Sequence, residues 1–252
     1  MYRRCGEQYR FRYKENIKLP PGIAMLKGTG VHGGSKLNWT QKIRSGNDLP
    51  RKDIIDASIS CFEEEQKKGF ELSGEEKAIG KDNVISTAKD SIVTLSGLYA
   101  DDVAPAYQPV KVEEKLVLET FSPEYDLLAY VDMVDKDTNL VDLKTTRRKK
   151  QQAEADNSIQ LSFYAYIYKA LTGKLPKSVC LETLVEKKQP ERQCLKSTRT
   201  DEDMTIILER INAMIDGVKK GVFISADPSD WCCSPTYCGY YNLCKYVKKG
   251  LK

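Results

Sequence analysis

The stretch AYVDMVDKDTNLVDLK, residues 129–144, decides how the chain is read. Two apolar runs, each interrupted by an aspartate, flank Asp135, Lys136, Asp137, Thr138 and Asn139, polar residues of the kind that turn a hairpin. Side chains alternate across a strand, so Asp142 and Lys144 share one face while Val141 and Leu143 share the other. Pairing Val134 with Leu140 sets Asp132 opposite Asp142. Two carboxylates and an ammonium thus converge, a set suited to a divalent cation with a lysine beside it. An isolated Asp-x-Lys is more commonly an exposed ion pair, so its neighbours must carry the argument.

Outward from this hairpin, Val110 to Glu119 alternates as a strand and, with Leu127–Val134 and Leu140–Thr145, predicts a three-strand meander. Ser158 to Leu171 reads as a helix, with Ile159, Phe163, Tyr166, Ile167 and Ala170 recurring at three and four and Gly173 as its stop. Val179–Val185 is a further strand. Met204, Ile207, Leu208, Ile211, Met214, Ile215 and Val218 mark an amphipathic helix capped by Thr200, with Gly221 past its end. That stripe is core. Residues 1–34 are aromatic and basic, opening with a helix; they then carry Pro20, Pro21 and five glycines from Gly22 to Gly34, including a tight turn over Gly28–Val31 just before His32. Residues of about 45–105 are charged, with Ile55, Ile59 and Phe62 at helical spacing, and predict a helical insertion.

A chain of 252 residues buries one substantial core, so a single domain is expected. Forty Lys and Arg against 36 Asp and Glu leave a net charge of +4, compatible with nucleic acid but not proof of it. Local basic groups say more: Arg3, Arg4, Arg10, Arg12 and Lys14; Arg147, Arg148, Lys149 and Lys150; and Lys245, Lys248, Lys249 and Lys252. No apolar stretch approaches a membrane span and the first residues have no signal-peptide apolar region, so the expected compartment is cytoplasmic, with no membrane partner. In a reducing compartment eight cysteines are metal ligands or buried thiols rather than disulfides. Cys5 stands alone, Cys61, Cys180 and Cys194 are scattered, and Cys232, Cys233, Cys238 and Cys244 crowd the last segment.

Phosphodiester hydrolysis needs charge stabilisation on the phosphoryl oxygens and an activated water, both of which a carboxylate-bound Mg²⁺ or Mn²⁺ supplies. Asp132 and Asp142 are natural oxygen ligands, and Lys144 can orient the water or offset developing negative charge. Gln160 and Tyr164, four apart, share a helix face from which an amide and a phenol can contact DNA backbone or brace the site. His32 is the single histidine, and a neutral imidazole ligates metals.

The order Gly28-x-x-x-His32, Asp132, Asp142-x-Lys144, Gln160-x-x-x-Tyr164 resembles the RecB-like branch of the PD-(D/E)XK nuclease superfamily, particularly the exonucleases of phages and of CRISPR adaptation systems. The resemblance implies an α/β fold, a restriction-endonuclease-like mixed sheet flanked by helices. It also implies a Mg²⁺ or Mn²⁺ site of His32, Asp132, Asp142 and the Leu143 carbonyl, Lys144 as the catalytic lysine, and Gln160 and Tyr164 holding the DNA strand and the site. Ala129 stands where members often have Gly. Glu113 or Glu114 is a further candidate carboxylate, with no choice between them. Arg147, Arg148, Lys149 and Lys150, just past Lys144, are the candidate DNA contacts. The implied activity is that of a DNA exonuclease in phage or prophage recombination, replication or repair, in bacterial or host cytoplasm, alongside proteins of those processes. Polarity of digestion, strand preference and oligomeric state stay open. The rival readings are a catalytically silent nucleic-acid-binding module, against which the intact Asp132, Asp142 and Lys144 argue, and a zinc-stabilised interaction domain in which the carboxylates are solvated and the cysteines only staple.

Three clustered cysteines in a loop rich in Pro, Gly and Tyr want a fourth thiolate, and Cys5 fits if the fold brings the ends together. Cys5, Cys233, Cys238 and Cys244 resemble the arrangement of cluster-bearing RecB-like nucleases, which implies a structural 4Fe-4S centre stapling residues 225–252 to the N-terminus. Tetrahedral zinc is the alternative for four thiolates, and Cys232 competes with Cys233. Gly6 replaces the Pro that often follows the first Cys. Tyr9, Phe11, Tyr13, Tyr237, Tyr240, Tyr241 and Tyr246 surround both ends and are candidates for stacking on bases.

Overall fold

The computed structural model describes residues 1–119 and 125–247; Lys248, Lys249 and Lys252 of the last basic group lie outside them. The hairpin reading holds: β2 (Leu127–Asp135) and β3 (Asn139–Thr146) are antiparallel with Val134 opposite Leu140. The turn is set by its own side chain. Asp135 Oδ1 accepts from the backbone N–H of Asp137 and Asn139 at 2.9 and 2.8 Å, while Thr138 adopts a left-handed φ of 63°.

With β1 (Pro109–Leu118) the meander is complete, and the sheet extends through β4 (Ser178–Val185) and β5 (Glu191–Ser197) in the order β1-β2-β3-β4-β5. β4 runs parallel to β3 and antiparallel to β5. The parallel step needs a crossover, supplied by α6 (Gln152–Asp156) and α7 (Ile159–Thr172). Gly173 ends α7 at φ 75°, as its position at the end of the apolar pattern predicts. All eight residues of β4 are buried, as expected of a strand covered on both faces. β5 and α6 are findings of the structure; their mixed polar sequences carry no clean period.

Each sheet face has its own core. On one side Met133, Val141, Leu143, Cys180 and Leu184 pack under α2 (Ile23–Ser45), α3 (Arg51–Lys67) and α5 (Lys81–Leu98), with α4 (Gly74–Ile79) between the last two. On the other, Val131, Val134, Leu140, Val179 and Leu181 meet Leu161, Ala165 and Ile167 of α7 and Met204 of α8 (Asp201–Lys219). Thr200 caps α8 by accepting from the Asp203 N–H.

The expected turn over Gly28–Val31 is overturned: these residues lie inside the 23-residue helix α2. Each glycine costs a helix roughly 1 kcal/mol relative to Ala. Contact with α3 explains their presence. A Cβ on Gly30 would come within 2.9 Å of the Ser58 carbonyl oxygen, and one on Gly34 within 2.6 Å of that of Ile54. The glycines are thus a flat face on which α3 lies. Because α2 is continuous, Gly28 and His32 share one face, and Gly28 sits against Thr145 of β3.

The short α1 (Gly6–Tyr9) continues through a π turn over Arg10–Lys14, giving the expected opening helix. Phe11 stacks on Tyr240 at 5.3 Å, and the Tyr240 hydroxyl donates to the Ile17 carbonyl, so the two ends of the chain pack together. Among the described residues, no helix is long and apolar enough to cross a membrane.

Candidate active site and cysteine pocket

The first site forms where β1 and β2 change face. Val131 packs into the α7 core while Met133, two residues on, packs into the α2 core; Leu116 and Val112 make the same switch along β1. Regular alternation forbids this. Between them lie Asp132 and Glu113, and Glu113 adopts φ 50°, a left-handed backbone that a non-glycine residue holds only when its surroundings enforce it. The pairs Val112↔Met133 and Glu114↔Val131 bracket the two acids.

Asp132 consequently leaves regular strand pairing. Its Oδ2 accepts the backbone N–H of Leu143 at 2.8 Å, in place of a ladder bond between β2 and β3. His32 Nδ1 of α2 stands 3.7 Å from the same oxygen, and one donor atom each from His32, Glu113 and Asp132 falls within a 4.8 Å group. The choice between Glu113 and Glu114 is thereby made: Glu114 instead pairs with Lys111 at 2.8 Å. Nothing in the sequence could have signalled the left-handed Glu113, because the two glutamates are adjacent and identical.

Asp142 lies beside this group, only 1% exposed, its Oδ1 accepting from Lys144 Nζ at 2.7 Å and Gln160 Nε2 at 3.1 Å. Gln160 also donates to the Tyr164 hydroxyl at 2.6 Å, so the i, i+4 pair on α7 braces the aspartate as one unit. The Lys144 side chain is 39% exposed and so reaches from the buried carboxylate towards solvent.

Burial sets the electrostatics. It pushes Asp132 up to about 6, against the pull of Lys144 and the Leu143 N–H and with the repulsion of Glu113. Burial also raises Asp142, with Lys144 opposing and Asp132 adding. His32 is lowered by burial and then by Lys144, so its imidazole is neutral. Tyr164 is raised by burial and by Asp142 and stays a phenol. Two buried acids short of positive charge, a neutral imidazole and a third carboxylate form a hard-donor set that fits Mg²⁺ or Mn²⁺.

The predicted basic contacts are partly spoken for. Arg148 forks onto Glu154 at 3.0 and 3.1 Å, Lys150 reaches the same carboxylate at 2.9 Å, and Lys149 pairs with Glu191 at 3.0 Å. Arg147 is exposed.

The second site joins the chain ends. Cys5, Cys232, Cys233, Cys238 and Cys244 line one pocket with Phe11 and Tyr240. The Gly6 N–H donates to the Ile224 carbonyl at 2.6 Å, and a Cβ at Gly6 would come within 2.7 Å of Phe223 backbone. This accounts for glycine where Pro was the common residue: the position needs both an N–H and no side chain. Two N–H groups point at sulfur, Ala226 N to Cys5 at 3.4 Å and Gln8 Nε2 to Cys238 at 3.2 Å. Cys233 packs with Cys238 and Cys244, whereas Cys232 packs with Cys5 and Ala226. The Cys233 thiol is raised by burial and then by Cys238, Cys244 and Cys5. Among the described residues only two triads bring three donor atoms within 4.8 Å, and neither is drawn from this pocket. Tetrahedral zinc, with Zn–S near 2.3 Å, would need sulfurs about 3.8 Å apart.

A search of curated proteins returns no match. Among solved structures the chain is similar to a Eubacterium rectale protein described as a "putative exonuclease", with TM-score 0.56 and 15% identity over 98% of this chain and 84% of that one. At that identity the likeness is one of fold. The profile of the PD-(D/E)XK nuclease superfamily matches residues 1–245, which takes in both sites, and the chain therefore belongs to that superfamily.

Proposed function

We propose that this nuclease is a Mg²⁺- or Mn²⁺-dependent deoxyribonuclease acting from DNA ends. The observation that carries the reading is the convergence of His32, Glu113 and Asp132 beside the Asp142–Lys144 pair. His32, Glu113, Asp132, Asp142 and the Leu143 carbonyl would hold the cation, which when bound neutralises phosphoryl oxygens and acidifies a water. Lys144, whose ammonium is held by Asp142 Oδ1 at 2.7 Å, would offer its remaining N–H donors to the attacking water or to the phosphoryl oxygen where charge develops. Gln160 and Tyr164 fix Asp142 and offer an amide and a phenol to the scissile strand. Exposed Arg147 is the readiest phosphate contact of its basic run; Arg148, Lys149 and Lys150 would exchange carboxylate partners for phosphate.

Cys5, Cys233, Cys238 and Cys244 are proposed to hold a 4Fe-4S cluster that staples the termini. Among the described residues no three sulfurs of the pocket fall within 4.8 Å of one another, a looser set than tetrahedral zinc takes, and the N–H groups on Cys5 and Cys238 suit thiolate ligands of either centre. The setting, phage or prophage recombination, replication or repair, rests on the resemblance to RecB-like exonucleases. Digestion of 5′-labelled and 3′-labelled linear duplex beside a closed circle, with Mn²⁺, tests the proposal. Shortening of linear DNA with the circle intact is expected, and nicking of the circle at an equal rate would overturn the exonuclease reading.

A further inference from the structure

Next to the catalytic strand, β4 and β5 carry a group of reactive side chains that phosphodiester hydrolysis does not use. The Cys180 and Cys194 sulfurs lie 2.9 Å apart, both cysteines being free thiols. The register Cys180↔Lys196 and Glu182↔Cys194 makes them diagonal neighbours on one face of an antiparallel pair. Tyr107 places its hydroxyl 3.5 Å from Cys180 and 3.6 Å from Cys194 and donates to Glu182 Oε2 at 2.6 Å.

Cys180, Glu182 and Cys194 also satisfy the spacing of a metal triad. The carboxylate, however, is already committed: Arg192 donates to Glu182 Oε1 at 2.9 Å and to Oε2 at 2.8 Å, and Tyr107 occupies Oε2 as well. A cation would enter beside a fixed guanidinium and find only two thiols.

We propose that Cys180 and Cys194 are a redox pair that closes to a cross-strand disulfide when the protein meets a peroxide. The sulfurs need only approach to about 2.05 Å. Cys194, half-buried on the edge strand, is the accessible member, and Cys180 is fully buried. Hydrogen bonding from Cys180 favours the Cys194 thiolate against burial and the Glu182 carboxylate, with Tyr107 and Arg192 adding to it, while Cys180 is held as the thiol. Cys194 thiolate attacks one peroxide oxygen, the O–O bond breaks, and hydroxide leaves to take up a proton. The Cys180 sulfur then attacks the Cys194 sulfenic acid, the S–S bond forms, the S–O bond breaks, and the Cys180 proton departs with hydroxide as water. Two thiols and one peroxide become one disulfide and two waters.

The bond would fasten β5 to β4, which pairs Glu182 with Leu143 of the catalytic strand. Gln193, next to Cys194, grips the Lys150 main chain through its side-chain amide, Oε1 accepting from the Lys150 N–H at 2.8 Å and Nε2 donating to the Lys150 carbonyl at 3.0 Å. Oxidation therefore stiffens the support of the segment leading out of Lys144.

Full-length protein purified anaerobically is treated with hydrogen peroxide, alkylated and digested. A cross-linked pair of peptides carrying Cys180 and Cys194 is expected, with a Tm raised by roughly 5 °C. Dithiothreitol should reverse both changes, and Cys194→Ser and Cys180→Ser should each abolish them. Cys61→Ser should leave them intact. Alkylation of both residues after peroxide, a cross-link to Cys61 or to the terminal cysteines, or zinc lost selectively in Cys180→Ser would each overturn the proposal.

Discussion

The carboxylate site and the cysteine pocket both unite residues distant in sequence, yet they are held by opposite means. The first is assembled before any ion arrives. Asp132 is fixed by a backbone N–H, Asp142 by Lys144 and Gln160, and His32 by a helix whose glycines seat it on its neighbour. The second is framed by turns and by packing between the chain ends, with five cysteines lining one pocket. In the first, burial of two carboxylates creates a demand for positive charge; in the second, the proposed cluster would supply the link between thiols that packing alone brings to one pocket. Removing what each binds should thus cost activity in one case and stability in the other.

The largest effect expected from breaking this contrast is at Asp142. Asp142→Asn keeps the shape and Lys144→Ala removes the ammonium; each should lower Mn²⁺-supported DNA digestion on the order of a thousandfold, with circular dichroism and Tm retained. Activity within tenfold of wild type in both would remove the site from the chemistry. Cys238→Ala should do the reverse: brown colour, iron and sulfide are lost and Tm falls by several degrees. An unchanged Tm would mean that packing alone ties the termini.

The comparison is sharpened at the two adjacent glutamates. Glu113→Gln should weaken Mn²⁺ binding, read by calorimetry, by about tenfold to a hundredfold, as expected for loss of a ligand or its close support. Glu114→Gln, which loses only a half-exposed ion pair with Lys111, should leave it unchanged. Equal effects would show that the left-handed turn at Glu113 is not aimed at the ion.

The smallest change is expected with pH. Asp132, raised by burial to about 6, is protonated below that value in the metal-free protein. The sign follows from its raised folded value. Without metal its contribution to stability is present at pH below the ordinary carboxylate range and is lost as pH rises through 6. Metal binding selects the ionised form, so Mn²⁺ affinity should increase about tenfold from pH 5 to pH 7. A flat profile would mean that Asp132 does not ligate.

Much of this was legible in the chain. The polar turn and the apolar residues beside it gave the pairing of Val134 with Leu140, but not the break at Asp132, which leaves the ladder before it can pair with Asp142; Asp142 and Lys144 share a face because a strand has a period of two. The helical spacing of Gln160 and Tyr164 placed both on one side, where the structure finds them bonded together. The glycines before His32 misled, because glycine serves both a turn and a close helix contact, and only the partner helix distinguishes them. β5 was invisible for want of an alternating pattern.

By itself, then, the sequence determined the elements whose pattern is local: the meander, α7, α8, and the pairing of an acid with a lysine two residues on. Tertiary structure alone decided which glutamate joins His32 and Asp132, that α2 runs unbroken, and that Cys180 and Cys194 meet. Each of those depends on a backbone conformation or a neighbour imposed by distant packing, and periodicity in the chain records only what adjacent residues must do.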